Sequence, residues 1–324
     1  MPKVIIHDAI DDAGTDLLAE RSDLAVLAVE RDDEATLRRE IADADGLILR
    51  YLPLRAGILE AATRLKVVAR HGVGCDNIDM AAATARGIPV ATVGDANAVT
   101  VAELTLYFML AAAKRARHYD EAVRRGDFLV REAADHLELY GKTVLIVGFG
   151  RIGRRVAARC LAFDMRVECC DPYIPQMNII DAGCVPVADL AEALPRADYV
   201  SVHVPLNDET RHLIDRAALE RMKPGAILVN AARGPIVDGV ALHAALESGR
   251  LAGAGLDVFD EEPPRPDDPL LSHPATVLMP HMGGSSRGAF IRMATRCAQN
   301  VLDALDGRLD RSVVVNPEAL DRSA

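Results

Sequence analysis

Apolar residues along this chain follow two periods that alternate. Short aliphatic runs at 4–6, 24–29, 47–50 and 66–70 read as strands. Between them, 11–20, 33–42 and 55–62 carry apolar residues at helical spacing. This first α/β unit ends in a polar, glycine-bearing loop, HGVGCDNID at 71–79, followed by a short helix and a strand at 88–92. A loop in that position, after a strand, is where open α/β sheets bind ligands. The longest helical pattern, 98–125, stops at Gly126. Val101, Leu104, Thr105, Phe108 and Ala112 mark one face, while Leu106, Met109 and Leu110 carry apolar surface around the cylinder. A helix apolar on most sides must be buried on most sides, so the pattern predicts a position between two domains and against a second subunit.

The alternation then sharpens. Residues 143–171 read TVLIVGFGRIGRRVAARCLAFDMRVECCD: strand, glycine turn, helix, strand and a closing acid. Gly148, Gly150 and Gly153 fit G-x-G-x-x-G, in which the first glycine makes the tight turn, the second admits a pyrophosphate and the third lets helix lie close on strand. The helix opening at Arg151 and Ile152 points free N–H groups at that phosphate, and Val156, Ala157, Cys160 and Leu161 give it an apolar face. Asp171 stands about twenty residues after the turn, where a carboxylate holds ribose hydroxyls. Pro172 and Tyr173 follow it, with no arginine to meet a 2′-phosphate, so the expected dinucleotide is NAD rather than NADP.

Further strands are read at 185, 199–204, 226–230, 251–257 and 277–279, with helices at 176–182, 190–194, 216–222 and 240–248; Asp215 and Asp238 serve as caps for the last two. The proline-rich stretch 260–274 reads as a loop, and one last helix runs from about 285 to Gly307.

A chain of 324 residues with 26% charged residues is globular and long enough for two domains. The formal charge of −11 argues against nucleic acid as a partner. Six cysteines show no metal-ligand spacing and read as thiols in a reducing compartment, so the expectation is a cytoplasmic protein without a metal. The N-terminus shows no signal peptide, and the longest apolar run, 104–113, is far below the ~20 residues of a membrane span.

Three loops after strands carry polar side chains: NAARG at 230–234, DVFDEEP at 257–263 and PHMGG at 280–284. In a doubly wound sheet they emerge on the cofactor side, where Arg233, Glu262 and His281 suit a carboxylate anchor, an orienting acid and a proton donor. Taken singly each has a plain alternative: a surface ion pair, one charge of an acidic loop, and a satisfied loop histidine.

Seven segments in order decide between these: HGVGCDNID at 71–79, VAELTLYFML at 101–110, VGFGRIG at 147–153, HVPLNDETRHLI at 203–214, ARGPIVD at 232–238, GLDVFDEEP at 255–263 and PHMGG at 280–284. Together they resemble the D-isomer-specific 2-hydroxyacid dehydrogenases, a family that includes D-3-phosphoglycerate dehydrogenases and hydroxypyruvate and glyoxylate reductases. The resemblance implies an α/β protein in which a Rossmann-type doubly wound parallel sheet domain, 99–285, is inserted into a smaller flavodoxin-like substrate domain, 1–98 plus 286–324. It places the family's arginine on Arg233, its acid on Glu262 and its acid–base histidine on His281. It assigns Val73 and Gly74 backbone N–H groups to the substrate carboxylate, Arg50 to the substrate, and Asp257 to the nicotinamide carboxamide. His203, Pro205, Thr210, Ala232 and Gly283 fall along the cofactor; many members have threonine where Ala232 stands.

The expected reaction is hydride transfer between NADH and a small 2-keto acid, giving a D-2-hydroxy acid, in a homodimer. Formate dehydrogenase shares the architecture but relays no proton, which disfavours it given Glu262 beside His281. A second class, NAD-sensing corepressors on the same scaffold, is the alternative. The sequence given ends at Ala324, and the expectation is that the regulatory module of some phosphoglycerate dehydrogenases, with its serine feedback, is absent.

Overall fold

The computed structural model describes residues 1–31 and 33–321. In chain order its main elements are β1 (Lys3–His7), α1 (Asp12–Ala19), β2 (Ala25–Val29), α2 (Glu34–Glu40), β3 (Gly46–Leu49), α3 (Ala56–Ala61), β4 (Val67–Arg70), α4 (Met80–Ala85) and β5 (Val90–Ala91), then α5 (Ala98–Ala113) and α6 (Ala116–Arg124). They continue with β6 (Thr143–Val147), α7 (Arg151–Ala162), β7 (Arg166–Cys170), α8 (Gln176–Asp181), β8 (Val185–Val187), α9 (Leu190–Ala193), β9 (Tyr199–Val202), α10 (Arg216–Arg221), β10 (Ala226–Asn230), α11 (Gly239–Glu247), β11 (Leu251–Leu256), α12 (Pro269–Ser272), β12 (Thr276–Leu278) and α13 (Arg287–Leu305). The chain forms two compact units, Met1–Asn97 with Gly284–Ala324 and Ala98–Gly283.

The first unit holds a five-stranded parallel sheet in the order β2-β1-β3-β4-β5, the flavodoxin-like arrangement. The centres of β1, β3, β4 and β5 are apolar because both faces are covered, whereas the edge strand β2 leaves Val26 and Ala28 exposed, so the expectation of a strand there follows from its apolar run but not from burial on both sides. Ile5, Leu47, Leu49, Val68 and Val90 meet Leu37 of α2 and Ile58 and Leu59 of α3 on one side. Val4, Ile6, Ile48, Val67 and Ala69 meet Leu18 of α1 and Met293, Cys297 and Val301 of α13 on the other. The buried Asn316 side chain ties the tail after α13 to this sheet: its Oδ1 accepts from the Val90 N–H at 2.8 Å and its amide donates to the Ile88 carbonyl at 3.0 Å.

The second unit holds seven parallel strands, β12-β11-β10-β9-β6-β7-β8, the Rossmann order with one strand added. α5 and α7 cover one face over Val144, Ile146, Val167, Ile227 and Val229. α10 and α11 cover the other over Leu145, Val200, Leu228 and Leu256. The order reverses between β6 and β9, which places the ends of those strands at the switch point where such sheets take ligands. Asp215 and Asp238 accept from the Ala218 and Ala241 N–H groups and start α10 and α11.

Two sequence expectations change. The pattern at 98–125 is two helices, because Arg115 adopts φ 47° and the Ala113 carbonyl accepts from Leu137 N–H instead of continuing the ladder. Most of the apolar wrap of α5 is buried inside its own unit, against α7 and β10 to β12, and Val99, Glu103 and Tyr107 form its exposed stripe. The proline-rich loop also contains a turn of helix, α12, started by Asp268, whose carboxylate accepts from Leu270 N–H at 2.9 Å.

Candidate active site

Arg233, Glu262 and His281 sit on the loops after β10, β11 and β12, at one end of the second unit's sheet. His281 Nδ1 lies 2.6 Å from Glu262 Oε2, while Glu262 Oε1 accepts from the Phe259 N–H at 3.1 Å. The carboxylate thus has one oxygen on its own loop and the other on the imidazole. Burial raises the Glu262 carboxyl, but the hydrogen bond and charge of His281, the Phe259 N–H and the Arg233 charge together bring it below its ordinary value. The acid therefore stays ionised beside the ring.

Each loop is braced from below. Asn230, buried at the end of β10, accepts from Ala232 N–H at 3.0 Å and donates to the Arg233 carbonyl at 2.8 Å. Gly234 follows, and a β-carbon there would overlap the Phe259 carbonyl, so the arginine loop and the glutamate loop approach backbone to backbone. Asp257 is 1% exposed and accepts from Met282 and Gly283 N–H groups, both at 2.8 Å, while its carbonyl accepts from His281 N–H at 2.7 Å. Burial pushes this carboxyl up, partly offset by the two amides. These bonds hold His281 at φ 51°, a left-handed conformation that a histidine adopts only when its surroundings fix it. Each Asp257 oxygen thus accepts one amide of the histidine loop and keeps a further lone pair.

The glycine turn follows β6 at the switch point. Gly148 has φ 97°, and a β-carbon there would lie 2.7 Å from the His203 carbonyl. One at Gly153 would overlap the Gly148 carbonyl, whereas one at Gly150 meets nothing within 4 Å. The first and third glycines are therefore required by the fold, and the second leaves open space in front of the α7 N-terminus, next to Arg151 and Ile152. Asp171 Oδ2 accepts from Phe149 N–H at 2.8 Å and Oδ1 from Tyr173 N–H at 2.9 Å, which fixes the carboxylate beside the turn. His203 Nε2 is 2.8 Å from Ser201 Oγ, its Nδ1 finds no partner among the described residues, and burial lowers it to about 3, so the ring is neutral. Thr210 Oγ1 donates to the Pro205 carbonyl at 2.6 Å and closes the loop that carries both.

In the first unit, Arg50 follows β3. Its guanidinium lies over the Tyr51 and Phe290 rings, 4.9 and 5.6 Å from their centroids, and donates to the Ala9 carbonyl. The loop after β4 carries Val73 and Gly74, whose backbone N–H groups donate to no group among the described residues. His71 beside them is buried, and burial with the Arg50 and Arg70 charges lowers it to about 4.

Residues 106–283 match the family model "D-isomer specific 2-hydroxyacid dehydrogenase, NAD binding domain". The chain belongs to that family. It is 40% identical over 318 residues to a D-3-phosphoglycerate dehydrogenase of Methanocaldococcus jannaschii, covering 98% of this chain but 60% of that protein. It is 38% identical to a glyoxylate reductase of Korarchaeum cryptofilum, covering 97% and 96% of the two chains. The crystal structure of D-lactate dehydrogenase from Aquifex aeolicus, complexed with NAD and lactic acid, superposes with a TM-score of 0.86 at 28% identity over 97% of this chain and 99% of that one. The chain thus spans about six-tenths of the phosphoglycerate dehydrogenase and nearly all of the reductase.

Within this family member, sequence reasoning missed the residues that hold the loops rather than face out of them. Asn230 and Gly234 lie inside motifs already singled out, and a buried polar residue at a strand end was the available signal for the first. Among the described residues no group of His, Cys, Asp and Glu is arranged to hold a metal, and no helix is long and apolar enough to cross a membrane.

Proposed function

We propose that this protein is an NAD-dependent dehydrogenase interconverting a small 2-keto acid and its D-2-hydroxy acid. The observation that carries the reading is the 2.6 Å pair of His281 and Glu262, braced on the same strand ends as Arg233. The glycine turn fits a dinucleotide: the space at Gly150 faces helix N–H groups, and Asp171 stands beside it with acceptor capacity for ribose hydroxyls. NADH, when bound, supplies the hydride for the keto carbon. His281 delivers a proton to the carbonyl oxygen from Nε2, since Nδ1 faces Glu262. Glu262 holds the ring and balances its charge. Arg233 grips the carboxylate and carbonyl oxygens as a fork, and Val73 and Gly74 offer N–H groups to the carboxylate. Arg50 faces the substrate's remaining substituent.

The substrate is of the glyoxylate, hydroxypyruvate or 3-phosphoglycerate type, a range supported by the names of the relatives. Six cysteines, none of them in a disulfide among the described residues, support a cytoplasmic protein. A homodimer is supported by the apolar side chains that the segment after α5 leaves exposed. The relatives are dehydrogenases and reductases by name and lend nothing to the corepressor alternative. The test is a panel of 2-keto acids assayed with NADH. Turnover of at least one at ordinary enzymatic rates is expected; tight NAD binding without turnover of any would overturn the enzyme reading and favour a sensor.

A further inference from the structure

The loop at 71–75 is folded over a guanidinium. Arg70, the last residue of β4, does not project away from the loop that follows it: its Nε donates to the Gly74 carbonyl at 2.8 Å and its Nη1 to the His71 carbonyl at 2.6 Å. One side chain therefore ties both ends of a short arc. Gly72 makes room for it. That residue has φ 150°, a backbone conformation that favours glycine, and a β-carbon there would stand 2.9 Å from Arg70 Nη1, so a larger residue would also press on the guanidinium. The arc is pinned on its other side by Val93 N–H donating to the Gly72 carbonyl at 3.3 Å.

With carbonyls 71, 72 and 74 all engaged, the two N–H groups between them, those of Val73 and Gly74, are left without acceptors among the described residues. Adjacent free N–H groups in a tight arc form an anion-binding concavity, and a positive charge behind the same arc adds to its field. A trans peptide is rigid, so the 71 and 74 carbonyls anchored on Arg70 fix the peptide planes at the two ends of the arc, while the Gly72 carbonyl on Val93 fixes the plane that carries the Val73 N–H; the Val73 and Gly74 N–H groups are confined between these anchors.

We infer that Arg70 is a positioning residue that shapes the 71–75 backbone into the carboxylate-binding arc for the substrate. The inference rests on the functional reading above, which assigns the Val73 and Gly74 amides to that carboxylate. A lysine at 70 keeps the charge but has no planar fork to serve two carbonyls at once. A methionine removes both charge and donors.

Two measurements on the full chain test this in Arg70→Lys and Arg70→Met. The first needs no substrate: hydrogen exchange of the unliganded protein, in which the Gly72 and Val93 amides should exchange faster in Arg70→Met than in wild type. The second is steady-state kinetics with the best 2-keto acid of the panel. Arg70→Lys and Arg70→Met should raise its KM by about tenfold or more, the scale of a lost charge-assisted hydrogen bond, with kcat within about threefold and the KM for NADH unchanged. If either variant unfolds, the other carries the test. A keto-acid KM within twofold of wild type in a folded variant overturns the inference. So does a parallel loss in kcat and in NADH affinity, which marks general damage. Wild type that reduces no 2-keto acid brings down the functional reading and the substrate role of the arc with it, while the exchange measurement still reports whether Arg70 holds the loop.

Discussion

At the scale of single residues, the site depends on one proton and on the acid that orients its carrier. Glu262 is held below its ordinary value, so whatever it contributes to holding the histidine loop is present above the usual carboxylate range and is lost as pH falls through that depressed value. At neutral pH the pair is intact. Keto-acid reduction requires the imidazolium and should slow as pH rises; hydroxy-acid oxidation requires the neutral ring and should accelerate. Glu262→Gln keeps the size and removes the charge 2.6 Å from the ring, so the imidazole loses the acid that orients and balances it and kcat should fall in both directions. His281→Ala should lose on the order of 10² to 10⁴ in kcat and flatten the profile. The check is kcat against pH in both directions, with a deuteride isotope effect showing that chemistry limits the rate. Near-normal turnover in either Glu262→Gln or His281→Ala removes the proton relay. Asp171 makes a separate prediction: kcat/KM should favour NADH over NADPH, and Asp171→Ala should narrow that ratio, because the carboxylate repels a 2′-phosphate. A wild-type preference for NADPH is the contrary result.

At the scale of elements, the three glycines of the β6–α7 turn separate folding from binding. A methyl group at Gly153 overlaps the Gly148 carbonyl, whereas one at Gly150 points into open space at a φ that alanine adopts. Gly153→Ala should therefore lower Tm by several degrees, as overpacking that costs about 1–3 kcal/mol does in a unit of this size. Gly150→Ala should melt like wild type and raise the KM for NADH. Thermal melts and NADH titrations of both variants check the pair, and a destabilised Gly150→Ala with unchanged KM reverses the assignment. The same turn shows why some of this molecule was legible in the sequence: each glycine answers to backbone within a few residues or to the next strand, and strands buried on both faces announce themselves as unbroken apolar runs. The rest was hidden for physical reasons. The break at Arg115 lies where the apolar pattern gives way to four residues that suit a helix, and what interrupts the ladder is Leu137, far along the chain. α12 hides among prolines. Arg70, Asn230 and Asp257 act on backbone carbonyls and amides, which carry no side-chain signature, so their roles leave no pattern of residue types to read.

At the scale of the whole molecule, the second unit leaves apolar surface that its own core does not use. α5 is mostly buried within the unit, yet past Arg115 the chain runs through α6, where Val123 is 56% exposed, to a segment where Phe128, Leu129 and Tyr140 are 63%, 72% and 70% exposed. Four large apolar side chains within eighteen residues exceed the scattered exposure normal for a single chain, and α5 adds Val99 and Tyr107 on its exposed stripe. A two-fold contact uses the same patch on both copies, so one segment serves twice, and a stable interface needs roughly 800 Å² from each partner. The expected assembly is a dimer of the 34.8 kDa chain through this segment. Phe128→Asp combined with Leu129→Asp should shift the mass toward the monomer by placing charges in a contact that excludes water, and should leave the helical content of each chain intact because neither side chain belongs to the core. Light scattering of wild type and the double variant across a dilution series, with circular dichroism on the same samples, makes the test. A wild type that scatters as a monomer while fully active, or a double variant that stays dimeric, places the subunit contact elsewhere and leaves this apolar segment unexplained by self-association.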